Sequence, residues 1–361
     1  MTLPLIYLTG SAYEKGRQHG EALRDRILNN VEAYFGYFGR LGVNKAGALD
    51  RARALADAVR HQNPDYHEAM RGIADGSGVP FDEIAALNMR SEIVYYLRSK
   101  QIVELSADGC TAWAVHPGRS DDGHLRIGQN WDWNRDVLGA ILHETVSDDF
   151  AVLGFTEAGQ VGCKIGLNSA GVGLCINGLF SNSDSWEAVV KPMHVRFYEI
   201  LRQENLDAAV DIIVNEDRSI AGNFLLGATP NHAANIEAGT SKHNRIDWRD
   251  GFIVHANHFV DPEGSGIDEP VFERRETSVG RHERMEELLG SAETVSHDDL
   301  VAFSRDRANA PESICRLGDD PLRPAADQGV SVTAAILDLT AGEAWFTDGP
   351  PSGAEYVRYS L

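Results

Sequence analysis

From Ala12 to Phe38 (AYEKGRQHGEALRDRILNNVEAYFGYF) apolar residues return every three or four positions, the spacing that gives a helix one apolar face. The same period continues through LDRARALADAVRHQ, PDYHEAMRGIADGSG and PFDEIAALNMRSEIVYYLRS, so the first hundred residues are expected to form a helical layer packed on something else. Pro64 and Pro80 sit where a proline can open a helix, and Gly76 and Gly78 are expected to break the chain between two of them. After Ser106 the period shortens to apolar and β-branched runs parted by Gly, Asn and Asp: TAWAVHPG, LRIGQNWDW, FAVLGFTEAG, VGCKIGLNSAG and VGLCINGLF. Helices are expected at MHVRFYEILRQ and LDAAVDIIVNED, and strands at NFLLGATP, HAANIEAG and GFIVHANHF. Two more helices are expected near SVGRHERMEELLG and HDDLVAFSRD, before the closing strands in SVTAAILDLTAGEAWFTDG and EYVRYSL. Strands joined by tight turns, then helices, then more strands describe an α+β protein with antiparallel sheets covered by helices.

Length and charge narrow the function. At 361 residues the chain is long enough for one large domain or two ordinary ones. Its 33 Lys and Arg face 54 Asp and Glu, a net charge of −21 that repels phosphate backbones and anionic lipid. A small-molecule or peptide partner is therefore expected, with neither nucleic acid nor membrane. No apolar run reaches the roughly 18 residues of a membrane span, and the opening MTLPLIYLTG lacks a basic n-region, so a cytoplasmic protein is expected. The thiols Cys110, Cys163, Cys175 and Cys315 show neither disulfide-scaffold nor zinc spacing, and no metal or organic cofactor is implied.

Among the four, Cys110 stands apart because it opens a strand where the helical half gives way to the sheet half. A thiol near pKa 8.5 needs a base, and a free α-amino group, titrating near 7.7 to 8.0, could serve. Cutting between Gly109 and Cys110 by an N-to-S acyl shift and hydrolysis would place both groups on one residue and yield fragments 1–109 and 110–361. Gly109, without a Cβ, tolerates the strained backbone such a step uses. The plainer reading is a buried thiol at a strand start. The run DGCTAWAVHPGRSDDGHLRIGQNWDWN reads as a hairpin whose return strand puts Asn130 and Asp132 on one face near Cys110.

Nine segments in order carry a resemblance: E-K-G-R-Q-H-G at Glu14 to Gly20, Arg71-Gly-Ile-Ala, Asp108-Gly-Cys-Thr, Gly128-Gln-Asn-Trp-Asp, Phe155-Thr-Glu-Ala-Gly, Lys164-Ile-Gly-Leu-Asn-Ser-Ala-Gly, His255-Ala-Asn-His, Arg281-His-Glu-Arg-Met and Ser313-Ile-Cys-Arg. Together they resemble the isopenicillin-N acyltransferase family of cysteine N-terminal-nucleophile hydrolases. The resemblance implies a four-layer αββα sandwich made as an inactive precursor that cuts itself before its nucleophile. It makes 1–109 a helical segment and 110–361 the catalytic segment, with the two fragments staying associated. It assigns Cys110 as nucleophile, Gly109 as the residue before the cut, Asp132 as an active-site carboxylate and Asn257 as the amide of an oxyanion hole. Thr111, Asn130, Asn168 and Gln328 are candidate substrate-binding residues. Fungal penicillin-acting members carry an arginine before a glycine-led strand where this chain has Gln328 before Gly329. A neutral amide does not replace a bidentate guanidinium, and the wider family includes amidases, so the resemblance does not identify a β-lactam substrate.

Several other patterns carry less. His255 and His258 are three apart, which on an extended strand puts them on opposite faces and disfavours a shared metal. Arg281-His-Glu-Arg-Met-Glu has Glu286 where the zinc-protease motif needs its second histidine, and reads as the solvated face of a helix. Asn168 and Ser169 also suit a hairpin turn. Ser313 and Arg316 fit a surface loop as well as a substrate role, and Cys163, Cys175 and Cys315 fit buried small hydrophobes. The function expected is a self-cleaving cysteine amidohydrolase acting on an N-acyl amine or thioester through an acyl-enzyme. Acyl-CoA-dependent N-acyl transfer and an uncleaved binding protein on the same fold are the alternatives.

Overall fold

In the computed structural model, which describes residues 2–101, 109–271, 275–325 and 328–361, the helical period of the first hundred residues is realised after one short strand. That strand is β1 (Leu5–Leu8), and α1 (Ala12–Ala22), α2 (Arg24–Arg40), α3 (Lys45–Gln62), α4 (Pro64–Ser77), α5 (Phe81–Asn88) and α6 (Arg90–Gln101) follow it. Strands then dominate: β2 (Thr111–Val115), β3 (Arg126–Asn134), β4 (Gly139–Ser147), β5 (Phe150–Glu157), β6 (Ile165–Asn168) and β7 (Val172–Gly178). Next come α7 (Met193–Ile200), α8 (Leu206–Val214), β8 (Gly222–Ala228), β9 (His232–Ala238), β10 (His243–Ile246) and β11 (Phe252–His255). A single turn, α9 (Pro262–Ser265), precedes α10 (Arg275–Gly290) and α11 (His297–Ser304), and β12 (Gly329–Asp338), β13 (Glu343–Phe346) and β14 (Val357–Ser360) close the chain.

Local chemistry explains where the helices start and stop. Ser11 and Glu14 form a capping box at α1, and Pro64 opens α4 behind an Asn63 side chain that accepts from Tyr66 N. Gly78 ends α4 in the left-handed conformation at φ 72°, as expected, but Gly76 lies inside that helix. Its absence of a side chain serves packing. A Cβ on Gly76 would lie 2.3 Å from Arg17 O, one on Gly72 2.1 Å from Tyr13 O, and one on Gly16 2.1 Å from Ala69 O. Helices α1 and α4 thus meet backbone to backbone, and any larger residue at these positions would force them apart. The E-K-G-R-Q-H-G and R-G-I-A segments are signatures of that crossing.

Two sheets form the centre. The larger runs β1-β4-β5-β6-β7-β8-β9-β10 and the smaller β11-β2-β3-β12-β13-β14. Their pairings are antiparallel except that β1 lies parallel to β4, Leu5 opposite Ile141. Neither β1 nor β4 stands out in the hydrophobic pattern: LIYL is four residues long, and GAILHETVS turns polar half-way. Ile127 and Leu337 of the smaller sheet, with Leu339 just past β12, share one buried cluster with Leu174 and Leu226 of the larger. On the outer faces α8 packs against β8 and β9, while α10 packs against β2 and β11 and α11 against β12. The architecture is the expected αββα, α+β sandwich. Because β1 supplies an edge of the larger sheet, segment 1–109 is more than a helical layer.

Candidate active site

Strands β2 and β3 pair as the expected hairpin, Thr111 opposite Asn130 and Val115 opposite Arg126. Alternation sorts their side chains into two environments. Trp113 and Val115 join Met285 and Leu289 of α10 in an outer apolar cluster. Cys110, Ala112 and Ala114 join Trp131 and Trp133 in the core between the sheets. Cys110 is 2% exposed, and its Sγ lies 3.7 Å from the Asp132 carbonyl oxygen. Asp108 lies outside the described residues.

On the outer side, polar groups gather about the Gly109–Cys110 junction. Ser331 Oγ donates to Asp132 Oδ1 at 2.6 Å and accepts from Arg316 N at 3.0 Å. A β-bulge between Ser331 and Thr333, facing Asp132 and Trp131, lies at this contact. Arg281 Nη1 donates to Gly109 O at 2.5 Å, to Cys110 O at 2.8 Å and to Asn257 Oδ1 at 3.3 Å. It also reaches Thr111 Oγ1 at 3.4 Å, the one contact the structure gives that candidate's hydroxyl among the described residues. Arg281 is buried, and burial followed by the repulsion of Arg316 lowers its pKa, against the opposing pull of Asp132 and Cys110. Asn257 donates through Nδ2 to Gly178 O at 3.1 Å. Gly109 leaves room for the Arg316 guanidinium: a Cβ would lie 2.1 Å from Arg316 Nη1 and displace it.

On the inner side the aromatic pair Trp131 and Trp133 stacks with centroids 6.0 Å apart. The ammonium of Lys164 sits 3.0 Å from the Trp131 ring centroid and pairs with Glu157, which also binds Arg90 and Tyr34. All of these are buried. Burial lowers the Lys164 pKa to about 7, with Arg90 adding to the shift and Glu157 and Cys110 opposing it. Burial alone would raise Glu157, but Arg90 and Lys164 more than offset it and hold the carboxyl well below its usual range.

Cys110, Asp132, Thr111 and Asn257 therefore converge, whereas the remaining candidates are engaged elsewhere. Asn130 shares the outer face with Asp132, and its amide donates to Ser304 O and Ile314 O, clamping the loop after α11. Asn168 caps the β6–β7 turn by accepting from Ala170 N and Val172 N and donating to Leu201 O and Gln203 O. Gln328 braces its own loop through Asp320 O and Arg323 O.

Three expectations change. The run from Arg281 to Glu286 is not a solvated face, because Ser278, Arg281, Met285 and Leu289 form the buried stripe of α10. That stripe, spaced three and four apart, was the signal that could have singled out Arg281. Ser313 and Arg316 are buried, not on a surface loop. His255 and His258 do not point apart: β11 ends at His255, and past it the chain turns so that the rings stack at 6.3 Å. Among the described residues, the group of metal-ligating type that does converge is Asp122, His124 and Asp338, where Arg126 already bonds both carboxylates. Cys163, Cys175 and Cys315 are buried, and burial raises each thiol pKa.

Comparison with known proteins places this chain in a family. A curated protein of Emericella nidulans, acyl-coenzyme A:6-aminopenicillanic-acid-acyltransferase 40 kDa form, is 29% identical over 96% of this chain and 92% of its own length. Protein dcd1A of Dictyostelium discoideum is 24% identical over 62% of this chain and 55% of its own. A solved conjugated bile acid hydrolase variant from Clostridium perfringens overlaps 70% of this chain at 12% identity, covering 97% of that structure, with a TM-score of 0.46. The family model described as acyl-coenzyme A:6-aminopenicillanic acid acyl-transferase matches residues 119–324, a span that holds Asp132, Asn257, Arg281 and Arg316 and starts after Cys110. That span exceeds half of the protein, and the chain belongs to this family of acyl-transferring enzymes.

Proposed function

We propose that the protein is a self-cleaving cysteine N-terminal-nucleophile enzyme that opens the amide of a small N-acyl amine through an acyl-enzyme on Cys110. The observation that carries this reading is the convergence of Cys110, Asp132 and Asn257 on the Gly109–Cys110 peptide, where the segment 1–109 meets the smaller sheet. Once cut, the Cys110 α-amino group takes the thiol proton and the thiolate attacks the acyl carbonyl. Asn257 Nδ2 and a backbone N–H receive the oxyanion, and the leaving amine takes its proton from the α-amino group. Water then releases the acyl group. No metal or organic cofactor enters any of these steps.

The α chain 1–109 and β chain 110–361 stay associated in this reading, since β1 pairs with β4 and the two segments share one core. Four free, buried cysteines suit a reducing compartment, and we place the enzyme in the cytoplasm. Among the described residues no helix is long and apolar enough to cross a membrane. A second reading, transfer of an acyl group from acyl-CoA to an amine, is favoured by the family description and by the activity named for the Emericella relative. The same acyl-enzyme serves both, and the acceptor decides the outcome.

Mass spectrometry of the purified protein should show fragments 1–109 and 110–361 for the natural sequence and one intact chain for Cys110→Ala. Turnover of a panel of N-acyl amines, with and without acyl-CoA, separates hydrolysis from transfer. An active protein that stays as one intact chain would overturn the self-cleavage reading.

A further inference from the structure

We propose that Arg281 is the oxyanion-binding group of the self-cleavage step. The inference rests on the self-cleavage reading and adds the group that makes the cut feasible. The atom on which charge develops is the carbonyl oxygen of Gly109, and Arg281 Nη1 already donates to it at 2.5 Å. The same nitrogen holds the next carbonyl, Cys110 O, at 2.8 Å, and both terminal nitrogens reach Asn257 Oδ1 at 3.3 Å. The fork is thus anchored on both sides of the bond that breaks.

A second observation concerns charge. Burying a guanidinium costs several kcal/mol unless a counter-charge meets it. Arg281 is 3% exposed, yet its acceptors at Gly109, Cys110, Thr111 and Asn257 are all neutral oxygens. Among the described residues no carboxylate lies within ion-pair distance of it, and Asp132 acts on it only through space. A buried cation held against a neutral carbonyl is preorganised for the anion that carbonyl becomes. Asn257, in contrast, turns its oxygen to Arg281 and its Nδ2 to Gly178 O in the uncleaved chain.

In the step itself Cys110 Sγ forms a bond to the Gly109 carbonyl carbon, and the carbonyl π pair moves onto the oxygen that Arg281 holds. The pair returns as the C–N bond breaks, and the thiol proton ends on the Cys110 nitrogen. The product is a Gly109 thioester of Cys110 beside a free α-amino group. One water hydrolyses it to the Gly109 carboxylate and the thiol.

The test follows the appearance of fragment 110–361 in freshly synthesised full-length chain for the natural protein, Arg281→Ala and Arg281→Lys. Thermal melts establish that each variant is folded. The alanine variant should cleave about 10²- to 10³-fold more slowly, the loss typical of an oxyanion donor. Arg281→Lys should fall between, because an ammonium keeps the charge without the fork. Added guanidinium ion should restore part of the alanine variant's rate, and urea, its neutral analogue, should not. Cleavage of Arg281→Ala at the natural rate would overturn the inference and leave self-cleavage standing. So would a lysine variant as slow as alanine with no rescue by guanidinium, the signature of a packing role. If the alanine variant does not fold, Arg281→Lys decides, since a natural rate with the fork removed refutes the assignment. A natural chain that never cleaves refutes self-cleavage itself.

Discussion

On the side of the β2–β3 ribbon that meets α10 and the loop after α11, Asp132, Asn130, Ser331 and Arg281 are each bonded to a named backbone or side-chain atom, and Arg281 holds the Gly109–Cys110 peptide itself. On the side that meets the larger sheet, Cys110 lies among Ala112, Trp131 and Trp133, and the charges near it belong to a buried cluster of Lys164, Glu157 and Arg90. The first face fixes atoms by short directional contacts, and the second sets a field in a medium of low polarity. The Cys110 thiol at the border of the two receives position from one and electrostatics from the other. Substitutions on the outer face should therefore alter rates, and substitutions on the inner face should alter stability and its pH dependence.

The largest effect is expected inside. Glu157→Gln leaves Lys164 and Arg90 without their counter-charge, and breaking such a buried pair costs about 3–5 kcal/mol, readable as a shift in the urea midpoint. Loss of turnover without loss of stability would erase the distinction between the faces. Next comes Asn257→Ala, which should lower turnover about 10²- to 10³-fold in steady-state assays of the mature enzyme. Gly109→Ala should then slow cleavage about 10- to 100-fold, because its Cβ displaces the Arg316 guanidinium from beside the scissile peptide. Time-resolved mass spectrometry reads this directly.

Lys164→Met sharpens the comparison with the shallowest readout, a change of slope with pH. Lys164 releases its proton near pH 7 in the folded chain and at about 10.4 when unfolded, so between those values the unfolded chain binds more protons. The natural protein should gain stability as pH rises across that window, by at most about 1.4 kcal/mol per pH unit. In the methionine variant this part of the slope should vanish. Denaturant unfolding at a series of pH values measures both, and equal slopes would show that Lys164 is not desolvated.

Legibility followed the range of the interactions. Helices α2 to α5, the β2–β3 hairpin and the strands rich in β-branched residues were readable because their period is local. The pair β1 and β4 was not, since a parallel contact between Leu5 and Ile141 leaves no mark in either segment alone. Cys110, Asp132 and Asn257 were singled out from residue type, order and resemblance. Arg281 was missed because it sits in a run of charged residues, and only its place on the Ser278–Met285–Leu289 stripe separates it from Arg284, which bonds Asp306 and Glu287. Gly76 was misplaced because its partner, Arg17 O, is remote in the chain.

By itself the sequence determined most of the helices and strands, the α+β class, the acidic charge and the presence of a thiol at a helix-to-sheet junction. These follow from period, composition and residue chemistry, which act over a few residues. Only the tertiary structure decided that a guanidinium from α10 reaches the carbonyl before Cys110, that Ser331 meets Asp132, and that Lys164 lies desolvated between Trp131 and Glu157. Those facts depend on distances between residues far apart in the chain, and folding sets such distances by packing the two sheets and their helices together.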